Sequence, residues 1–247
     1  MLFAPDAFAW GLQTHVFLAQ WLLAALPLAD PQLRAAALRL PRLVLAGACL
    51  PDLALAGRML GLATFRRAHQ WSTLRRLAAT RWDEERAIAV GYASHLLADI
   101  IAHNRFVPDH ERRILQVPHA THALCEWAMD QHLSPGLHEE PAALLFSEAR
   151  TLAHAAGTAF GCGEALARRA LRTLACAERL LRASRLPRLC QRLLGVFYAD
   201  VASRFDAYIG DAAGVVRRID AVLHGIEPRW DPEPEPGQAM ANEAPGI

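Results

Sequence analysis

Apolar positions recur at helical spacing along most of the chain, and prolines and glycines cut the pattern into segments. Residues 10–26, WGLQTHVFLAQWLLAAL, read as a helix with Val16, Leu18, Leu22, Leu23 and Leu26 facing a core; Pro27 and Pro31 end it. Residues 31–40 form a short amphipathic helix stopped by Pro41, and 42–63 two buried helical segments meeting at Pro51. Residues 65–80 read as helix or part loop. Trp82-Asp83-Glu84-Glu85 marks a helix start, since acids in a first turn favour the dipole; that helix should run to about Asn104. Pro108 and Pro118 bracket a loop or short helix, followed by a helix over about 119–132. Four amphipathic stretches follow, at 140–157, 163–184, 188–210 and 212–224.

No β-alternation or internal repeat interrupts this. The pattern predicts an all-α fold, a single bundle of roughly nine or ten helices. Residues 1–9 stand apart as a leader or N-terminal arm, 10–227 as the helical domain, and 228–247, acidic and proline-rich, as a disordered tail.

The most apolar helix carries three polar residues that break its pattern. In GYASHLLADIIAHN (91–104), His95, Asp99 and His103 lie four apart, twice over, on one face of a helix that turns in about 3.6 residues. Burying two imidazoles and a carboxylate together is costly unless something satisfies them, and His plus carboxylate is the donor set that suits zinc. Further candidates lie elsewhere. His122 and Glu126 repeat the four-residue spacing; His119 and Asp130 flank them by one turn. Asp52 sits in the apolar run GACLPDLA, where it either caps the next helix or binds metal. His69 in RRAHQWS and His15 in WGLQTH would, taken alone, be a surface and a core-edge histidine.

Together these residues run in the order Trp, His, Asp, His, HxxxD, His, HxxxE. That order resembles the bacterial zinc-dependent phospholipase C family and its nuclease relatives over about residues 10–130. The resemblance implies an all-helical fold and three zinc ions. One would be held by Asp52, His69, His95 and Asp99, and a second by His103, His122 and Glu126. The third would use His15, a bridging Asp99, and the amine and carbonyl of an N-terminal Trp10. Here Trp10 is not the first residue, and the Asp99–His103 gap is shorter than in the best-known members. Paired zinc ions provide a hydroxide near neutral pH and draw in phosphodiester oxygens; Asp52 could also orient or deprotonate that water.

The expected function is therefore a zinc-dependent phosphodiesterase that hydrolyses phospholipids with two or three zinc ions. The alternatives are a single-strand nuclease, for which Phe65, Trp71, Phe106 and Trp127 could stack bases, and a non-catalytic helical metal-binding protein. Composition narrows the partners. A net charge of +1 gives no general reason to expect nucleic acid. All the positive charge is arginine; no lysine occurs. The stretch 168–192 concentrates arginine, with Glu178 its only acid, and is either a solvated face or a contact for anionic lipid. No segment qualifies as a transmembrane helix, so membrane contact would be peripheral. The 5 cysteines form no CxxC pair and no evident disulfide framework. Ala7-Phe8-Ala9 resembles a signal-peptide cleavage site. An exported protein is expected if the true start lies upstream, and a cytoplasmic one otherwise.

Overall fold

A computed structural model describes residues 10–111 and 118–232; of residues 118–120 it describes the backbone only. Among the described residues every regular element is helical and none is a strand. The helices are α1 (Leu12–Ala25), α2 (Pro31–Arg39), α3 (Pro41–Gly47), α4 (Leu53–Met59), α5 (Trp71–Ala78), α6 (Asp83–Ile101), α7 (Val107–Glu111) and α8 (Pro118–Leu133). They continue as α9 (Pro141–Ser147), α10 (Ala149–Phe160), α11 (Glu164–Ala183), α12 (Leu186–Phe197), α13 (Val201–Val216) and α14 (Ile219–Leu223). None is long and apolar enough to cross a membrane.

The bundle is built around α6. From Ala87 to Ile101 every residue is buried, and a helix buried on all sides belongs in a core. Helices α1, α2, α3, α5, α13 and α14 surround it. On one side α9, α10 and α11 cover α3, α4 and α5; on the other α12 lies along α8.

Two glycines set the closest crossing. A Cβ on Gly91 of α6 would stand 1.9 Å from the Val44 carbonyl oxygen, and one on Gly47 of α3 would stand 2.4 Å from the Ile88 carbonyl oxygen. Both helices can touch backbone to backbone only because neither residue has a side chain.

The expected end of α6 near Asn104 is instead a change of pitch. Residues Ala102–Phe106 form a π-helical turn that leads directly into α7. Pro108 explains it: its ring would collide with the carbonyl four residues back, that of Asn104, in a regular helix. A widened turn relieves this, and the Asn104 side chain donates to the Ile100 carbonyl at 2.9 Å.

Other boundaries also differ from the sequence pattern. The 140–157 stretch is divided at Glu148. The 188–210 stretch is interrupted after Phe197, where Tyr198 turns extended and buries its ring against His110. The next helix then runs through the expected break near 211, because the roughly 1 kcal/mol that Gly210 costs a helix interior is too small to end it. Counting the short ones separately gives fourteen α-helices among the described residues rather than nine or ten. Of the acidic stretch, residues 228–232 lie on the domain: Trp230 packs against the core and the Asp231 carbonyl accepts from Asn104 Nδ2 at 3.1 Å. Residues 1–9 and 233–247 lie outside the described residues.

Candidate metal centre

Four segments converge beside the C-terminal half of α6 and the π-helical turn that continues it. His15 comes from the first turn of α1, just after Trp10. Asp52 stands before α4, His69 in the turn before α5, His95 and Asp99 on α6, and His103 in the π-helical turn. His122 and Glu126 come from α8.

Asp99 is the hub. Its Oδ2 lies 3.0 Å from His95 Nε2 and 3.5 Å from His69 Nε2, and its Oδ1 lies 3.4 Å from His15 Nε2. His69 Nε2 and His95 Nε2 are 3.2 Å apart. Donor atoms about 2.0–2.1 Å from a tetrahedral zinc stand about 3.3 Å from one another. These spacings fit that edge length. Both Asp99 oxygens and Asp52 Oδ2 are fully buried yet make no hydrogen bond, a condition that a bound cation would relieve. Asp52, His69 and His95 form one group whose donor atoms lie within 4.8 Å of each other, and His15, His95 and Asp99 form another. The donor set and its orphaned oxygens fit zinc.

Asp52 occupies the N-cap position of α4, but its side chain makes no capping hydrogen bond. Burial raises its pKa to about 7, with Asp99 adding to the shift and His95 opposing it. Burial likewise raises Asp99 and Glu126. It lowers His15 and His69 well below the usual range, helped by the charge of His95, so both are neutral and can offer a lone pair. His95 is also pushed down by burial, but Asp99 prevails and its pKa is raised. The His95 ring is fixed from behind: Nδ1 lies 2.8 Å from the Ala48 carbonyl, to which it donates, so the Nε2 lone pair faces the centre. The rings of His15 and His95 stack at 3.5 Å.

The second set is grouped separately. The His103 and His122 rings meet edge to face at 5.9 Å, and His122 Nε2 lies 2.8 Å from Glu126 Oε1. Burial, then the charges of His122 and His95, lower His103 to about 3. Trp10 is buried and packs edge-on to Phe106 at 5.6 Å.

Several positioning groups carry no sequence signature. Ala48 acts through its carbonyl. The Tyr92 hydroxyl donates to the Ala68 carbonyl and so anchors the turn that carries His69. Asp130 accepts from Thr14 N at 3.0 Å and Thr14 Oγ1 at 2.7 Å, and pairs with Arg182 at 3.0 Å; it ties α8 to the start of α1 and to α11. The helical spacing from Glu126 placed Asp130 on the inner face, but nothing local announced these partners. The side chain of His119 lies outside the described residues.

A cavity of about 200 Å³ opens onto the centre, lined by Trp10, Asp52, Glu126, Trp127, Glu178 and Arg182 among others. Of the aromatics that could stack a base, Phe65 and Phe106 are fully buried, and Trp127 alone lines this cavity.

A family model described as zinc dependent phospholipase C matches residues 14–156. No curated protein and no solved structure matches the chain.

Proposed function

This chain belongs to the zinc dependent phospholipase C family, and we propose that it hydrolyses phospholipids as a phosphodiesterase, using water activated at a di- or trinuclear zinc site. Bound zinc would supply a hydroxide near neutral pH and offset charge on the phosphodiester oxygens. The observation that carries this reading is Asp99, whose two oxygens face different histidines: Oδ2 faces His69 and His95, and Oδ1 faces His15. One carboxylate placed this way can bridge two cations. Asp52, His69, His95 and Asp99 would hold one ion, and His103, His122 and Glu126 a second. His15, Asp99 and the Trp10 backbone would hold a third.

Asp52 would have the further role of orienting the attacking water and taking its proton, because its carboxylate would stand beside the ion that holds that water. Its Oδ2, free of any capping bond, is available for that contact. The cavity bordered by Asp52 and Glu126 is where the phosphodiester would sit. Phospholipid is favoured over single-stranded nucleic acid because one half-buried tryptophan, Trp127, is a poor platform for successive stacked bases.

The test is metal content with a panel of phosphatidylcholine, other phospholipids, single-stranded DNA and RNA. Zinc-dependent release of phosphorylated head group is expected. Hydrolysis of the nucleic acids with no cleavage of lipid would replace this reading with a nuclease.

A further inference from the structure

Helix α12 takes no part in the metal centre, yet its surface is unusual. It buries Pro187, Cys190 and Leu194 against its neighbours. Its other side carries Leu186, Leu189, Leu193, Val196 and Phe197, between 39% and 81% exposed. Successive residues turn by about 100°, so these five share one stripe about 100° wide. Arg185, Arg188 and Arg192, all exposed, occupy the adjoining stripe, and none makes an ion pair among the described residues. No acid occurs in α12. Single exposed leucines need no explanation; five large apolar side chains aligned on one helix do.

The stripe lies next to the centre. Leu181 and Arg182, at the end of α11 just before α12, line the cavity that holds Asp52 and Glu126. Helix α12 itself packs on α8, which carries Glu126. A groove lined by Met59, Arg169, Arg172 and Leu180 shares Ala177 with that cavity. Apolar and basic surface therefore reaches the rim from both sides.

We propose that α12 is an interfacial helix that seats the protein on an anionic lipid bilayer, with the cavity facing the head groups. An apolar stripe bordered by arginine is the arrangement that lies in the plane of a bilayer surface. The long arginine stems lie along the apolar boundary while their guanidinium groups meet lipid phosphates. A second copy of the chain fits less well. Two α12 helices packed on each other would bring together arginine stripes with no acid on α12 to answer them. The docking stands apart from the proposed reaction; only the orientation of the cavity rests on it.

The test uses the full, zinc-loaded chain with vesicles of phosphatidylcholine, alone or mixed with phosphatidylserine, in a flotation assay at low and raised salt. Mixed vesicles should carry the protein, and salt should weaken the binding. Each arginine near an anionic surface contributes roughly fivefold to affinity, so Arg188→Glu with Arg192→Glu should cost at least about 25-fold. The apolar variant Leu189→Ser, Leu193→Ser, Val196→Ser should lose at least about tenfold. Both should melt like the parent, because these side chains are exposed. Both should cleave a monomeric short-chain phosphocholine diester at the parent rate while cleaving vesicles more slowly. Flotation that is absent, or equal in parent and variants, overturns the proposal. So does a dimer in sedimentation equilibrium that the serine variant dissolves, which would assign the stripe to a second copy. If no diester is cleaved but mixed vesicles still hold the protein through α12, the docking stands and the assigned reaction fails.

Discussion

Asp99 and Glu126 are both buried carboxylates on helices, but their neighbourhoods differ. Asp99 has a histidine on each oxygen, whereas Glu126 has His122 on one. Asp99→Ala should therefore lose more zinc from dialysed protein than Glu126→Ala, read as metal per chain; equal losses would argue against a bridge. Asp52 gives a pH test in chelated protein. Its pKa rises from an ordinary 3.8 to about 7 on folding. A raised value means that the protonated form is favoured in the fold. Its contribution is complete below about pH 4 and is lost as pH rises to about 7. Zinc-free parent should then weaken relative to Asp52→Asn across that window, by roughly 4 kcal/mol at most. Chemical denaturation at several pH values measures it, and a difference that is flat with pH would refute it.

The crossing of α3 and α6 is where elements become a site, because Ala48 follows α3 and its carbonyl orients His95. Gly91→Ala gains about 1 kcal/mol of helix propensity. The new Cβ, however, meets a backbone oxygen that can move only with its helix, and overpacking of this kind costs about 1–3 kcal/mol or more. The clash should win, and zinc affinity should fall roughly tenfold or more as Ala48 shifts from His95. Gly210→Ala, where nothing lies within 4 Å, should instead stabilise by about 1 kcal/mol. Thermal melts of both variants decide the matter. The same crossing explains what could be read from sequence. His95 and Asp99, like His122 and Glu126, are linked by a four-residue period, so their shared faces were legible. Asp52 and His69 come from turns and meet α6 only through packing, which leaves no local period; the family order alone joined them to the set. The break at Tyr198 depends on its contact with His110, far away in sequence. The arginine-rich stretch reads as one unit but divides in space: Arg182 turns in to Asp130, while Arg188 and Arg192 turn out.

At the scale of the molecule, the centre draws on segments from Trp10 to Glu126, joining α1, α4, α5, α6 and α8. Metal bound there would act as a clamp on the folded chain. Zinc at a thousandfold excess over its dissociation constant contributes about 4 kcal/mol, or roughly 10 °C for a domain of this size. Chelation should lower the melting temperature by about that much and abolish activity; a melting curve indifferent to chelator would contradict the clamp. The placement of Trp10 beside His15 carries one more consequence. With no lysine in its 247 residues, this sequence offers amine-selective reagents one target, the α-amine of its first residue. If processing exposes Trp10 and its amine binds zinc, an acylating reagent should leave the metal-loaded protein unmarked and add a single acyl group once the metal is stripped. Intact-protein mass spectrometry reads both states, and equal labelling with and without zinc would mean that the amine is not a ligand. Processed to begin at Trp10, this lysine-free sequence would carry a single-site chemical tag at the amine that the third ion would need.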